Sequence, residues 1–520
     1  MKRKGMLKSL RLVVFLPAFL LLALTILLNF VNEEAFLHVT TLAKDFMVTQ
    51  SGWLFSLVGA ACLIVVIAAY FSPFGEVRIG GPDAKPMLNK ISWFTITLCT
   101  TIAAGIMFWG MAEPIWHLAY PPASLGIEPM SAEAAKFAME TLFLHWTFLP
   151  YAIYAVPTIV FAFAYYNMKR SFSVGSEIAP VMGKRNQSKL DIGIDAVVLF
   201  CVAAGIAASF GTSVMNMGGG MESLFGIADG KGLWIILTIL GTIAFVTSSA
   251  TGLLKGIKYL SNFNVLLYVI ILGALLILGP TVYMFGLGTE AMGGFLTNIF
   301  DKALFTGAAA GDSWASGWTI FYWSNWMAWA PVSAVFLARI TYGYKVKEVI
   351  TMNFLIPGLF SAIWMTMIGG TAINFQMTGR VDLLAIMLEK GSAAAGYAVL
   401  GELPFAEILI FIYLVAVFIS FVTATDSTTN AMASISTEGM ADGRKEAPLY
   451  IKIIWGVTVG LVSLVFISSL GIDGIKMLSY LGGFPALFLG ILSVVSLFVL
   501  INHPKKYDEY EIEKKASEEK

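Results

Sequence analysis

Long apolar runs separated by short polar stretches dominate the chain. A membrane span needs roughly 20 mostly apolar residues to cross the ~30 Å hydrocarbon layer. Runs of that kind lie near 10–31, 50–71, 91–113, 141–166, 191–217, 233–249, 263–285, 317–338, 349–372, 406–436, 451–470 and 478–501. The apolar–polar alternation of a β-barrel is absent. The pattern therefore predicts an all-α membrane protein with about twelve transmembrane helices. No small-residue cleavage site follows the first run, so it reads as a retained helix rather than a signal peptide. Residues 287–305 mix apolar and polar positions at helical spacing, which predicts a helix lying along the membrane surface.

Composition agrees with the pattern. Of 520 residues, 58% are hydrophobic and only 13% are charged, and mean hydropathy is +0.79. A soluble enzyme with a single anchor is excluded, and so is disorder. Lys+Arg and Asp+Glu both number 33, so no basic excess argues for nucleic acid. What matters is where the charges fall. Under a twelve-span alternation, Lys44, Lys136, Lys231, Lys302, Arg380, Lys390 and Lys476 lie on one side, and the other 26 basic residues on the opposite side. Cytoplasmic loops carry the excess of Lys and Arg, so both termini are expected in the cytoplasm of a multi-pass cell-membrane protein. The longest external stretches, 114–140 and 373–405, are too short for a receptor or enzyme domain, and the charged tail is short. Cys62, Cys99 and Cys201 sit in apolar runs, which argues against a disulfide framework. His38, His117, His145 and His503 never pair closely along the chain, which argues against a membrane di-metal enzyme.

The densest chemical signal is SWASGWTIFYWSNWMAWAP, residues 313–331, with Trp314, Trp318, Trp323, Trp326 and Trp329. On a helix, Tyr322, Trp326 and Trp329 share one face. From Trp318 to Trp329 a helix rises roughly 16 Å, deeper than an interfacial aromatic belt. Indoles at that depth are either core packing or a binding wall. In HWTFLPYAIYAVP, residues 145–157, Pro150 clashes with the carbonyl of Trp146. A kink there swings Trp146 relative to Tyr151 and Tyr154. Electron-rich ring faces attract a cation that hydrogen bonds cannot satisfy, above all a quaternary ammonium. A run of small residues, Thr100, Thr101, Ala103, Ala104 and Gly105, allows either close helix packing or local unwinding. Asp426 stands among hydroxyl side chains deep in the tenth span, where it serves either an ion or proton site or a tie between helices.

These stretches resemble the betaine/choline/carnitine transporter (BCCT) family. GIMFWGMAEP (105–114), HWTFLPYAIYAVP (145–157), WTIFYWSNWMAWAPVSAVFLARITYG (318–343) and TATDS (423–427) carry the likeness, which spans residues 10 to 501. The resemblance implies a secondary transporter working by alternating access, and not an enzyme. It implies a cytoplasmic N-terminus and two peripheral helices in 1–90, and a first five-helix repeat in 91–285. An external loop with the surface helix follows in 286–316, then a second, inverted repeat in 317–501 and a tail in 502–520. The first helix of each repeat would be broken, at the third and eighth spans. A homotrimer embedded in lipid is implied, with the surface helix contributing to subunit contacts.

Glycine betaine, carnitine and choline are the substrates that the resemblance implies. An amino-acid or other zwitterion symporter or exchanger on the same scaffold is the alternative. Carried over by position, the aromatic box is Trp146, Tyr151, Tyr154 and Trp326. Trp323 and Trp329 line the pathway, and Ala103, Ala104 and Gly105 offer backbone contacts. Tyr151 replaces the family's usual Trp, and Asn325 stands where Trp is common. The family's Gly-x-Gly-x-Gly run is Thr101-Ile102-Ala103-Ala104-Gly105 here. A sodium site would fall at Cys99, Ile102, Thr423 and Ala424, with Asp426 nearby. Ala424 lacks the expected hydroxyl, which Thr425 or Ser420 can supply. Sodium coupling, proton coupling and exchange stay open at this point.

Overall fold

The computed structural model describes residues 9–101, 103–182, 187–250, 253–438 and 447–518. Among them the secondary structure is helical, apart from isolated bridges such as that pairing Arg78 with Lys345. The peripheral helices are α1 (Leu12–Val31) and α2 (Glu33–Phe71). Next come α3 (Lys90–Thr101), α4 (Ala103–Ala119), α5 (Ala132–Trp146), α6 (Phe148–Tyr166), α7 (Gln187–Phe225), α8 (Lys231–Ala250) and α9 (Leu253–Leu278). The stretch 287–305, expected as one surface helix, falls instead on α10 (Thr281–Thr297) and a short helix over Ile299–Leu304. The second half holds α11 (Thr319–Thr341), α12 (Ile356–Met377), α13 (Leu383–Lys390), α14 (Ala394–Gly401), α15 (Ala406–Ile435), α16 (Leu449–Leu470) and α17 (Ile472–Asn502). The charged tail forms α18 (Glu509–Glu518).

Among the described residues, ten helices are long and apolar enough to cross a membrane, and eleven if α3 and α4 count as one bent span. Each of the twelve apolar runs falls on a helix or helix pair. The remaining one, α11, is 23 residues long but less apolar, because indoles, Ser324 and Asn325 interrupt its aliphatic residues. It does not need a lipid-facing surface: nearly every residue from Thr319 to Thr341 is buried. The helix α2 starts well before its apolar run. Asn32 caps it by accepting a hydrogen bond from the Ala35 amide at 2.9 Å, and Glu33 and Glu34 sit in its first turn.

Two breaks shape the interior. The axes of α3 and α4 differ by 59°, within the run of small residues; Ile102 between them lies outside the described residues. The helices α5 and α6 part at Thr147 (φ −106°, ψ −113°). Pro150 lies four residues after Trp146, so its ring would strike the Trp146 carbonyl of a continuous helix. The eighth span is interrupted only near its start, at Trp318, after a single turn over Trp314–Gly317.

The core is built on α6 and α11, which pack against each other and against α17, while α7 packs on α11 and α17. Apolar burial does not drive helix association in lipid; close van der Waals packing does. Gly483 of α17 shows this: a Cβ there would lie 2.6 Å from the Ser324 Cα. The N-terminal segment closes one end of the bundle. Arg11 donates to Asp195 Oδ2 at 2.8 Å and to the Ile435 carbonyl at 2.8 Å, at the C-terminus of α15.

Candidate aromatic substrate site

A cavity of about 480 Å³, counting its open mouth, lies between α4, α5, α7, α11 and α15. Its walls include Trp146, Trp326, Trp329, Tyr322, Trp109 and Phe321, and its small-residue floor includes Thr101, Ala104, Gly105 and Ala424. The break at Thr147 ends α5 with Trp146 turned toward α11. The Trp146 ring meets Trp326 at 5.0 Å and 77°, and Tyr322 at 5.2 Å and 72°. Tyr322 and Trp326, four residues apart on one face of α11, are stacked at 5.8 Å. Gly105 is required by this arrangement: a Cβ there would lie 2.7 Å from Trp146 Cη2.

The rings are anchored by their polar edges. Trp326 Nε1–H donates to the His145 carbonyl at 3.2 Å, and Trp329 Nε1–H donates to the Gly205 carbonyl at 3.0 Å. Trp146 Nε1–H and the Tyr322 hydroxyl both donate to Glu113 Oε2, at 2.6 and 2.5 Å. The other carboxylate oxygen, Oε1, is 2.6 Å from His145 Nδ1 and 3.0 Å from His117 Nε2. A carboxylate can only accept, so both histidines present N–H to it. His145 Nε2 lies within hydrogen-bond distance of the Thr319 hydroxyl, at 3.1 Å. Glu113, His117 and His145 are all fully buried. One negative charge, saturated by four donors, therefore sits directly behind two rings of the cavity wall. A ring whose N–H or O–H donates to an anion becomes more electron-rich, which strengthens its hold on a cation.

Glu113, His117 and His145 also place one ligand atom each within 4.8 Å of one another, a spacing that a metal ion can bridge. The histidines, far apart along the chain, come together with ring centroids 5.9 Å apart. The protein also rests a cation of its own on this aromatic cluster. Lys476 Nζ lies 4.3 Å from the Trp318 ring centroid and 5.6 Å from that of Phe321.

Comparison with known proteins agrees with this arrangement. The family model described as BCCT, betaine/carnitine/choline family transporter, matches residues 13–506. The chain belongs to the BCCT family. It is 26% identical to the glycine betaine transporter OpuD of Bacillus subtilis (strain 168), over 95% of both chains. It is 28% identical to an ectoine/hydroxyectoine transporter of Virgibacillus pantothenticus, over 92% of this chain and 93% of that one. It is 30% identical to glycine betaine transporter 1 of Vibrio parahaemolyticus, over 82% of this chain and 80% of the relative. The protein is thus a multi-pass membrane transporter of a family that carries betaine-type solutes, and not an enzyme.

Within this BCCT chain the sequence-derived positions divide into groups. Trp146, Trp326, Trp329, Ala104 and Gly105 line the cavity, as does Ala424. Ala103 is the first residue of α4. Tyr154 stands behind the wall, with its ring 6.2 Å from Trp326. Tyr151 is fully buried and does not line the cavity. Trp323 faces the other way, packed on Gly59 of α2 at 3.6 Å from a Cβ position there. Neither Glu113 nor His145 stood out in the sequence as part of a site. Trp109 and Phe321 were missed as wall residues. The one usable signal was helical phase, since Trp109 lies four residues after Gly105, on the same face of α4.

The residues expected around an ion have separate partners. The Cys99 thiol is 3.7 Å from both the Ser261 carbonyl and Asn264 Nδ2. Asn264 Nδ2 also donates to Ser420 Oγ at 3.0 Å. The Thr423 hydroxyl donates to the Ile419 carbonyl at 2.9 Å, within its own helix. Asp426 Oδ2 accepts from Ser248 of α8 at 2.6 Å, and Oδ1 accepts from Asn430 Nδ2 at 2.6 Å. Asp426 thus ties α8 to α15. Ile102, expected in the same site, lies outside the described residues.

Proposed function

We propose that this transporter carries a small quaternary-ammonium solute, with glycine betaine, carnitine and choline as the leading substrates. The carrying observation is the aromatic wall of Trp146, Tyr322, Trp326 and Trp329 around a cavity floored by small residues. A methylated ammonium cannot donate hydrogen bonds, so π faces are its natural partners. Each ring supplies about 0.5–2 kcal/mol. The small-residue segment from Thr101 to Gly105 serves the other end of the substrate. Cys99, Ile102 and Thr423, with Ala424 and Asp426 beside them, are the proposed place for a coupling sodium ion. In this reading the chain works as a homotrimer, with α10 at subunit contacts and both termini in the cytoplasm.

A second reading is favoured by the relative named for ectoine, which is a zwitterion without a quaternary nitrogen. A zwitterion carrier on the same scaffold would use the same rings less selectively. The test is uptake of labelled betaine, carnitine and choline into proteoliposomes, with and without a sodium gradient, in competition with ectoine and primary amino acids. Quaternary ammonium compounds are expected to compete best. Trp326→Ala should lower apparent affinity by roughly 3- to 30-fold, the equivalent of one ring, with the protein still folded. Wild-type kinetics in that variant would remove the aromatic-site proposal, and preference for a primary amine would favour the second reading.

A further inference from the structure

A second cavity lies away from the aromatic site, where α2, α6, α11 and α17 meet beneath the segment Val174–Ile178. Its volume is about 320 Å³, counting its mouth. Its walls are apolar except for one carboxylate, that of Glu177, and the hydroxyl of Ser493. Glu177 is fully buried. Its Oε2 accepts from the Ser493 hydroxyl at 2.7 Å. Its Oε1 has no hydrogen-bond partner among the described residues.

The charged groups around this carboxyl do not neutralise it. The segment packs on α6, α7 and α17. From α7 come Asp195 and Asp191. Asp195 already holds the Arg11 guanidinium at 2.8 Å, together with the Ser173 hydroxyl and the Val174 amide at 2.9 Å each. Asp191 accepts from Ser171 at 3.1 Å, with Arg170 close by. Of the helices around the cavity, α17 contributes Ser493 and α2 the thiol of Cys62, while α6 contributes Ile153, Val156 and Pro157 and α11 contributes Met327, Ala330 and Pro331, none of them titratable. Among the described residues no Lys or Arg makes an ion pair with Glu177. An ionised carboxylate in apolar surroundings without a counter-cation costs several kcal/mol. Burial accordingly lifts the Glu177 carboxyl well above the usual carboxylate range, and the neighbouring Asp195 adds to the effect.

Two prolines in the wall of the same cavity free backbone carbonyls from the usual helical bond. Pro157 and Pro331, both in its wall, have no N–H to give to the carbonyls of Ile153 and Met327 four residues earlier. Ile153 and Met327 line the cavity as well.

We propose that Glu177 is a proton-binding site of the carrier: it is held as the neutral acid in this conformation and releases its proton when helix movement lets water into the cavity. The exchange is –COOH ⇌ –COO⁻ + H⁺, with the proton passing to water in the opened cavity. Four helices line the cavity that holds this one carboxyl, so its charge state and their separation are linked. The site is independent of which solute the aromatic cavity carries.

Infrared difference spectroscopy of the full-length protein at neutral pH, wild type minus Glu177→Gln, tests protonation without any substrate. A protonated-carboxyl band is expected; carboxylate bands in its place would overturn the proposal. Ser493→Ala removes a donor that favours the anion, so the midpoint of that band in a pH titration should rise. An unchanged midpoint would count against the site, and this variant serves if Glu177→Gln does not fold. In proteoliposomes an acid-outside gradient should stimulate uptake by the wild type and not by Glu177→Gln, while exchange at equal pH persists. An equal response of both proteins, or loss of sodium dependence alone, would overturn it. If no quaternary ammonium is carried by either protein, the substrate reading fails, and the infrared result still decides the proton site.

Discussion

At Glu113 four donors meet one carboxylate, and this arrangement explains why two aromatic side chains hold their orientation. Glutamine has nearly the same shape but one acceptor oxygen and an NH₂ that must donate. In Glu113→Gln the donors that faced the lost oxygen are left without an acceptor. Each buried unpaired group costs about 1–3 kcal/mol. The variant is therefore expected to melt at a lower temperature and to bind substrate more weakly, because Trp146 and Tyr322 lose their anchor. Melting in detergent alongside uptake kinetics checks this; wild-type values for both would show that the network does not position the rings. None of this was legible from residue type. A glutamate next to a proline near a span end looks structural, and its partners come from α4, α5 and α11, so only folding assembles them. The tryptophans were legible, because helical phase alone put Tyr322, Trp326 and Trp329 on one face. Phase could not show that Trp323 turns toward α2, since the position of α2 is a tertiary fact.

At the scale of elements, the two interior breaks were partly readable. Pro150 pointed to a bend after Trp146, because the clash of its ring is a local covalent matter, and the chain breaks at Thr147. The bend between α3 and α4 falls in the run of small residues, where both packing and unwinding were open. The connection between α2 and α3 shows an element that pattern did not reveal. Ile79 donates its amide to the Tyr344 carbonyl at 2.9 Å, and Val346 donates to the Val77 carbonyl at 2.9 Å. This clips the end of α2 to the turn after α11. Glu76 adds contacts to Lys345 and Lys347. Hydrogen bonds from Lys347 and Lys345 hold its carboxyl down at about 2. A lowered carboxylate value stabilises the folded state above the ordinary value of 4.5 and loses that effect as pH falls through about 2. The group is solvent-exposed, and exposed ion pairs contribute little. Glu76→Gln is expected to melt close to wild type at pH 7, with the two proteins converging between pH 4.5 and 2. A large difference at pH 7 would show the clip to depend on charge rather than on its backbone bonds.

At the scale of the whole molecule, charge distribution makes a topological prediction. Asp83 lies in the Lys- and Arg-rich loop after α2, and Glu128 lies in the stretch between α4 and α5; both are exposed. The three native cysteines are buried, so they give little background to a thiol reagent. In intact cells Glu128→Cys is expected to react with a membrane-impermeant maleimide, and Asp83→Cys only after permeabilisation. The reverse result would invert the orientation. The aromatic site and the Glu177 cavity are separate chambers in the same bundle, and α11 lines both. Any movement of α11 therefore acts on both.

The sequence by itself determined the membrane class, the number of apolar runs and the family, because each depends on composition and period along the chain. It also marked which helix carries the aromatic face. Tertiary structure alone decided which rings enclose space, that Glu113 stands behind them, and that Glu177 has no counter-cation among the described residues. The reason is physical: a hydrogen bond or an unpaired charge is a relation between side chains on different helices. Its worth depends on distances of a few ångströms that no spacing along one chain encodes.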